Sequence, residues 1–486
     1  MGKDIVDQES KYPEKRKRLW NPEDVYRVLI NNKGTDRIEG IKFDMSHSDI
    51  LKLRPTCFES MPNLRYIKFG RIDIDNDIDI AYLPNELKWL QWKCYPFKSL
   101  SLNFNPKNLV VLKLSGPNME QLWNEDFQDL VNLREIDVSF CDKLRKIPNL
   151  LGAINLEILN CKFCESLVEL PELPKMLNRL NLSSTGIKEV PFSSDLSNIL
   201  PNELRYLEWN GYPFKSLPLN FNPKNLVVLN LSWGNMEQLW NEDFEEPSTS
   251  KDLTVSFVIN CKSLKLLSEL PSNLKYLDTR RCISLESVSF TDRNFLSFDG
   301  ERNYAMIFSN CFSLNQDSVD NIEANAMLQI QFLAKKWASR YDHEFSIDPE
   351  PNLLYCFPGN KISADRFEYQ SRNSSLSFKI ATRGSSGRRL LVFAICLVVH
   401  LTDHVSVRNL QFVCEYQLLA ASGNDGDGGF KKFKSELILG GIAWDCRGDH
   451  VFILCGKDMV KEDQDYEEAS FQLYINNKRE HFKAKK

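Results

Sequence analysis

The side chains of this sequence that could do chemistry are cysteines, histidines and aspartates, and their spacing is the first test. Cys161-x-x-Cys164 has the separation of half a zinc site, but no second pair with zinc spacing accompanies it. Asp403-His404 and Asp449-His450 set a carboxylate beside an imidazole, yet no nucleophile motif such as G-x-S-x-G goes with either. Residues 71–80 (RIDIDNDIDI) alternate aspartate in the manner of a calcium loop. Counted from Asp73, an EF-hand needs Gly at its sixth and Glu at its twelfth position, where this chain has Ile78 and Pro84. An acidic surface loop is the better reading. Neither a G-x-x-x-x-G-K-[ST] phosphate loop nor a G-x-G-x-x-G turn occurs. No catalytic residue, metal site or cofactor site is assigned, and the expectation is a binding protein, not an enzyme.

A binding protein needs elements that present a surface, and the chain supplies them as repeats. Residues 84–127 recur at 201–244, an offset of 117 positions, with 35 of 44 residues identical. Inside each copy a shorter period is visible: Leu87, Leu90 and Trp92 lead on to Leu109, Leu112 and Leu114, 22 residues later. That is the period of leucine-rich repeats, LxxLxL followed by a polar residue or cysteine. Leu64-Ile67-Phe69 starts the series. Units at Leu133, Leu156, Leu177, Leu204, Leu226 and Leu274 continue it, with a degraded unit around Val258 and Cys261. Each unit offers a short strand and a return turn, and no unit can bury its leucines alone. Stacking buries them at roughly 1.5–3 kcal/mol per side chain. The expected fold is an α/β leucine-rich-repeat solenoid with a parallel sheet on its concave face. Cys141, Cys164, Cys261 and Cys282 share the ninth, turn-forming position, and Cys161 the inward sixth, so the Cys-x-x-Cys pair reads as repeat core.

In LxxLxL the third, fifth and seventh residues face outward. The third-position row reads Trp89, Val111, Glu135, Ile158, Arg179, Tyr206, Val228 and Tyr276; the fifth reads Gln91, Lys113, Asp137, Asn160, Asn181, Glu208, Asn230 and Asp278. An apolar and aromatic stripe beside a polar row of mixed sign suits protein binding and argues against a phosphate-binding surface. Stacking of these side chains on one another for stability is the equal alternative. The candidate partner-binding residues are Trp89, Gln91, Lys113, Ile158, Tyr206, Glu208, Asn230, Tyr276 and Asp278.

The flanks differ in texture. Residues 1–36 are not repeat-like, but Asn21 as cap, Pro22, Glu23 and Asp24 in a first turn, and apolar Val25, Val28 and Leu29 predict a helix ended by Gly34. Lys15-Arg16-Lys17-Arg18 reads as a solvated basic loop or a nuclear import signal. A segment this short buries little core and is expected to be the end of a domain lying upstream. Residues 316–345 form a transition, with helical spacing at 320–340, and 346–486 carry seven short β-like runs, expected as an all-β sandwich. The expected domains are thus 1–36, repeats at 37–315, a helical transition at 316–345 and a β-sandwich at 346–486. A formal charge of −5 over 486 residues pulls toward neither nucleic acid nor membrane, and the longest apolar run, at 391–399, is too short to span a bilayer. Thirteen cysteines with no signal peptide argue for reduced thiols, in the cytoplasm and possibly the nucleus.

These residues resemble a known family. MGKDIVDQES…PEKRKRLWNPEDVYRVLINNKGTDRIEGI (1–41) is similar to the junction after the nucleotide-binding module of plant TIR-NBS-LRR disease resistance proteins, and the duplicated stretch is similar to their first repeats. FSNCFSLNQ (308–316), YCFPGNKISADRFEYQSRNSSLSFKI (355–380) and DHVFILC (449–455) resemble their C-terminal jelly-roll/Ig-like domain. The resemblance implies that 1–36 is the end of a nucleotide-binding (NB-ARC) module. It also implies that repeats and β-domain recognise a pathogen effector or a host protein the effector has altered. In the family, recognition releases the nucleotide-binding module to oligomerise, and TIR domains then cleave NAD. No phosphate loop and no TIR glutamate can be carried onto this chain, so neither activity is assigned to it. It reads as a truncated receptor or a free-standing sensor, with a second reading as a regulatory or assembly module restraining a nucleotide-binding partner receptor.

Overall fold

The computed structural model describes residues 9–44, 53–72, 82–101, 104–123, 129–188, 200–218, 221–240, 253–271, 274–290, 304–340, 352–363, 365–381, 390–401, 407–420, 429–444, 446–463, 465–477 and 480–482. The calcium-like residues 73–80 and the Asp403-His404 pair lie outside the described residues. The chain divides into two compact units, Met1–Met236 with Trp240–Leu253, and Glu237–Leu239 with Thr254–Lys486.

The first unit opens with β1 (Arg18–Leu19) and helix α1 (Pro22–Ile30). Asn21 Oδ1 accepts the Glu23 N–H at 3.0 Å, and Val25, Val28 and Leu29 are buried as the spacing predicts. Gly34 does not end this helix. Asn31 is the C-cap and Asn32 takes the left-handed conformation, φ 50°. Gly34 serves close packing instead, since a Cβ there would lie 2.7 Å from the Met61 side chain. The basic run is folded. Arg16 donates to Asp24 at 2.9 Å, and the Lys17 carbonyl accepts from Glu39 and Gly40.

Nine further strands follow in strict order: β2 (Gly40–Phe43), β3 (Tyr66–Phe69), β4 (Trp89–Lys93), β5 (Val111–Ser115), β6 (Glu135–Asp137), β7 (Ile158–Asn160), β8 (Arg179–Asn181), β9 (Tyr206–Glu208) and β10 (Val228–Asn230). Each pairs in parallel with the next. The sheet thus begins two strands before that of Leu64-Ile67-Phe69, with Ile38, Ile41 and Phe43, all fully buried, filling the inward positions of an earlier unit. The leucines of each LxxLxL are fully buried. The asparagine before each repeat adds a side-chain ladder: Asn63, Asn108, Asn132 and Asn155 donate Nδ2 to a backbone carbonyl of the preceding repeat at 2.9–3.0 Å. Such bonds satisfy turn carbonyls that the strand pattern leaves open.

The ninth-position cysteines serve the same end. Cys164 Sγ donates to the Val138 carbonyl at 3.1 Å, Cys282 to Val258 at 2.9 Å and Cys311 to Thr279 at 3.1 Å. Burial pushes the Cys164 thiol up to about 12, so it stays protonated. A thiol held as a hydrogen-bond donor is not the thiolate that zinc requires.

In the second unit a parallel series continues with β11 (Val255–Phe257), β13 (Tyr276–Asp278), β15 (Tyr304–Ile307) and β16 (Leu353–Pro358), while β12 (Leu266–Leu270) and β14 (Ser287–Phe290) pair as a separate two-stranded sheet. Helix α2 (Gln316–Arg340) follows β15; Tyr355 donates its hydroxyl to Asn325 of this helix at 2.5 Å. The later strands are β17 (Ser375–Lys379), β18 (Leu390–Val392), β19 (Ile395–Leu401), β20 (Val407–Ala420), β21 (Phe430–Trp444), β22 (Gly448–Cys455), β23 (Val460–Glu462), β24 (Tyr466–Asn477) and β25 (Glu480–Phe482). Strand β22 pairs antiparallel with both β16 and β19. A second sheet runs β17-β24-β20-β21, with β25 on β24, and β18 pairs with β23. The β-like run at 391–400 is thus two strands, with Phe393 and Ala394 between them. Phe412 of β20 and Ile475 of β24 pack on Ala305, Ile307, Leu354, Cys356, Phe452 and Leu454 of the first sheet, forming one core.

Candidate interaction face of the repeat sheet

Parallel register turns the two outward rows into physical stripes. In the first unit Tyr66, Trp89, Val111, Glu135, Ile158, Arg179, Tyr206 and Val228 lie side by side, as do Lys68, Gln91, Lys113, Asp137, Asn160, Asn181, Glu208 and Asn230. Trp89, Gln91, Lys113, Ile158, Tyr206, Glu208 and Asn230 are all half-buried, open on one side and supported on the other. Neighbours prop each other. The Trp89 and Tyr66 rings sit 5.9 Å apart, Lys113 Nζ lies 5.8 Å from the Trp89 ring and 2.6 Å from Glu135, and the Arg179 guanidinium covers Tyr206 at 4.5 Å. Asn181 donates to Glu208 at 3.2 Å. Partly exposed pairs of this kind add at most about 1 kcal/mol each, so they position the side chains more than they hold the fold.

Tyr276 and Asp278 are placed differently from the other seven. In the second unit the row lies closer to a core: Tyr276, still half-buried, packs against the core that Phe412 and Phe452 share, with the Phe257 ring 5.2 Å away. Asp278 is fully buried and held by Arg280, whose Nε reaches Oδ1 at 2.9 Å and whose Nη2 reaches Oδ2 at 2.8 Å. Burial raises its carboxyl above the usual range, with Arg280 pulling the other way. The signal was in the sequence. Residues 304–308 (YAMIF) are apolar on both faces, which marks a strand covered on both sides.

A third row escaped the sequence reading. The eighth residue of most repeats, though not Arg71 or Gly116, is in the left-handed region: Cys94, Phe140, Phe163, Ser184, Gly211 and Trp233 in the first unit, and Asn260, Arg281 and Asn310 in the second, with φ between 55° and 82°. Glycine and asparagine suit this conformation, whereas bulky residues are strained by about 1–2 kcal/mol. Phe140 is nevertheless 55% exposed and Trp233 60%, and Phe140 stacks on Phe163 at 5.0 Å. Trp233→Asn, which relieves the strain and gives up little burial, is expected to raise stability by about 1 kcal/mol. The urea midpoint of the purified chain measures it; a midpoint that falls means the indole is held by its surroundings.

The remaining candidates for chemistry are structural. His450 is buried and accepts a backbone hydrogen bond from Asn310 at 3.0 Å, while its neighbour Asp449 bonds His400 Nδ1 at 2.7 Å. A depression of about 500 Å³ on the return segments, lined by Gln121, Trp123, Lys146, Pro148, Asn149 and Glu172 among others, gathers no nucleophile beside a base. Among the described residues no group of three His, Cys, Asp or Glu could hold a metal ion, and no helix is long and apolar enough to cross a membrane.

No family model matches the chain. Curated relatives do. It is 26% identical to the disease resistance-like protein DSC1 of Arabidopsis thaliana over 95% of this chain and 50% of that protein. It is 25% identical to the Arabidopsis disease resistance protein RPP2B over 99% of this chain and 53% of that protein, and 30% identical to RPP4 over 62% and 31%. The chain spans about half the length of the first two. Among solved structures, the functional domain of InlJ from Listeria monocytogenes aligns at a TM-score of 0.31 with 17% identity, covering 53% of this chain and 57% of that one. YopM from Yersinia enterocolitica aligns at 0.31 with 20% identity, covering 53% and 60%. At those scores the repeat fold rests on the ladder described above. The chain is thus similar, over nearly its whole length, to plant disease resistance proteins, which supports the resemblance to the C-terminal part of the TIR-NBS-LRR kind.

Proposed function

We propose that this chain is the recognition part of an intracellular plant immune receptor, without catalysis of its own, and that the open sheet face of the first unit binds a pathogen effector or an effector-modified host protein. One observation carries the reading: Trp89, Ile158, Tyr206 and Val228, half-exposed, share a registered row with the buried Val111 and with Glu135 and Arg179, beside a polar row. Rigid aromatics on a strand scaffold are the usual anchors of protein interfaces, because they bring contact area at small entropic cost. Asp278, being fully buried, has no open side chain to offer this surface, whereas Tyr276 is half-buried like Trp89 and Tyr206. The two facing sheets of the second unit support its reading as the family's jelly-roll/Ig-like domain, beside the repeats as a further recognition element. The cytoplasm, and possibly the nucleus, is the compartment such partners require.

The alternative, a module restraining a nucleotide-binding partner receptor, draws on the first end of the ladder, where Tyr12 and Tyr26 stand exposed beside β1. Deleting residues 1–60 would strip β1 and β2 from the sheet, so point substitutions are the cleaner tool. The full chain is used to capture candidate effectors and, without effector, a nucleotide-binding receptor. Trp89→Ala and Tyr206→Ala are each expected to weaken effector capture about tenfold or more while leaving the fold intact. Unchanged capture by both variants removes the sheet face from the account. Effector-free capture of the receptor that is lost on Tyr12→Ala/Tyr26→Ala favours the alternative.

A further inference from the structure

In six repeats the left-handed turn at the eighth position shares one hydrogen-bond habit. Its N–H donates to the seventh-position carbonyl of the next repeat: Phe140 to Lys162, Phe163 to Ser183, Ser184 to Asn210 and Gly211 to Ser232 in the first unit, then Asn260 to Arg280 and Arg281 to Ser309 in the second, all at 2.7–3.1 Å. At Asn310 the series runs out of carbonyls, because β16 continues past Cys356 as an extended strand instead of turning. The acceptor there is an imidazole. Asn310 N–H donates to Nε2 of His450 at 3.0 Å, and the Asn310 side-chain oxygen accepts the Arg447 N–H at 2.9 Å. His450 is reached across 140 residues and sits on β22 opposite Pro358 and Val399.

We propose that His450 is a proton-sensitive clasp, whose neutral Nε2 closes the last repeat turn onto β22 and whose protonation releases it. A carbonyl accepts at any pH, but an imidazole accepts only while one nitrogen is bare. Here Nδ1 faces the Gly448 carbonyl at 3.4 Å, which assigns it the proton and leaves the Nε2 lone pair for Asn310. A second proton on Nε2 would set N–H against N–H in a fully buried place, with Phe312 packed on the ring at 5.8 Å.

The charged groups about His450 are few. On β22 Asp449 favours the protonated ring but is itself bonded to His400 of β19, and the Arg447 side chain is exposed. Pro358 of β16 and Asn310 and Phe312 of the turn carry no charge, and the Cys311 thiol is pushed up by burial to about 12. Burial accordingly lowers the His450 pKa from 6.5. A group whose folded pKa is depressed by burial of its cation takes up its proton more readily once opened. The joint is therefore closed above about pH 6.5 and weakens as pH falls below it.

Residue-resolved hydrogen exchange on the full chain tests this, with protection factors corrected for intrinsic rates. The Asn310 amide is expected to lose protection about tenfold or more between pH 7.5 and 5.0, whereas the Arg281 amide, bonded to a carbonyl, changes little. In His450→Gln the Asn310 protection becomes independent of pH, whatever its level. Equal behaviour of Asn310 and Arg281 in the wild type, or a pH-dependent loss that persists in the glutamine variant, overturns the proposal.

Discussion

Arg280→Met is expected to destabilise the second unit by about 3–5 kcal/mol, because it leaves the Asp278 carboxylate buried without its cation. Asp278 is fully enclosed, and the three Arg280 contacts at 2.8–3.0 Å are what make its ionised form tolerable there. The loss should depend on pH in a definite direction. Asp278 already has a folded pKa above 3.8, and removing the Arg280 guanidinium removes the largest of the influences that lower it, leaving the residue-280 backbone N–H and Tyr276. A carboxyl with a raised folded pKa contributes least cost when protonated, so the deficit is largest at neutral pH and shrinks as pH falls toward the unfolded value. Urea midpoints of wild type and variant at pH 7.5 and 5.0 read this directly, as differences at each pH. Arg280→Met/Asp278→Asn should recover much of the deficit. A deficit equal at both pH values and unrelieved in the double variant would assign Arg280 a packing role only.

Trp92→Ala should cost a similar amount, about 3–5 kcal/mol, by emptying the densest aromatic cluster of the first unit. Trp92 is fully buried, with Phe69 at 4.6 Å, Tyr95 at 5.3 Å and Phe97 at 6.0 Å, each near edge-to-face. Trp92→Phe should cost far less. The indole Nε1 is buried without an acceptor among the described residues, and phenylalanine removes that orphaned donor along with some volume. Thermal and urea unfolding separate the two variants; equal losses would mean that Nε1 is satisfied in solution. Trp92 also bounds the binding experiment. It lies three residues from Trp89, and only an intact urea midpoint shows that a loss of capture comes from the outward tryptophan and not from a collapsed repeat.

The period of the repeats, the inward leucines, the capped helix α1 and the existence of most C-terminal strands were legible in the sequence, because each depends on local spacing of large side chains. Helix α2 was legible through Ile322, Ala326, Ile330 and Leu333, all buried. What was not legible depends on distant partners. Strands β20 and β21 extend well beyond their apolar cores because they pair with each other along their length, carrying polar stretches such as Lys431-Lys432 into the ladder. The outward rows read the same in both units, yet Glu208 and Asn230 stay half-exposed while Asp278 is fully buried, and Tyr276 gains a core partner, Phe412, from more than 100 residues away. The eighth-position column was hidden for the opposite reason. Its conformation calls for glycine or asparagine, and Phe140, Phe163 and Trp233 do not announce it.

The duplicated stretch has a consequence for how the chain finds its register. Its two copies present the same inward face, so a folding repeat array is offered two docking places for either copy, five strands apart, with nearly equal burial. What differs is the strand that comes before. The first copy follows Phe69, whose ring meets Trp92 edge-on, and the second follows Leu182, with Trp209 meeting only Tyr212 and Phe214 of its own repeat among the described rings. Docking the second copy in the first place would still offer Phe69 a tryptophan. Docking the first copy in the second would leave Trp92 without its ring partner and forfeit about 0.5–1.5 kcal/mol. The aromatic side chain at the end of β3 thus rewards whichever copy docks beside it, and the choice between the copies falls to the residues at which they differ.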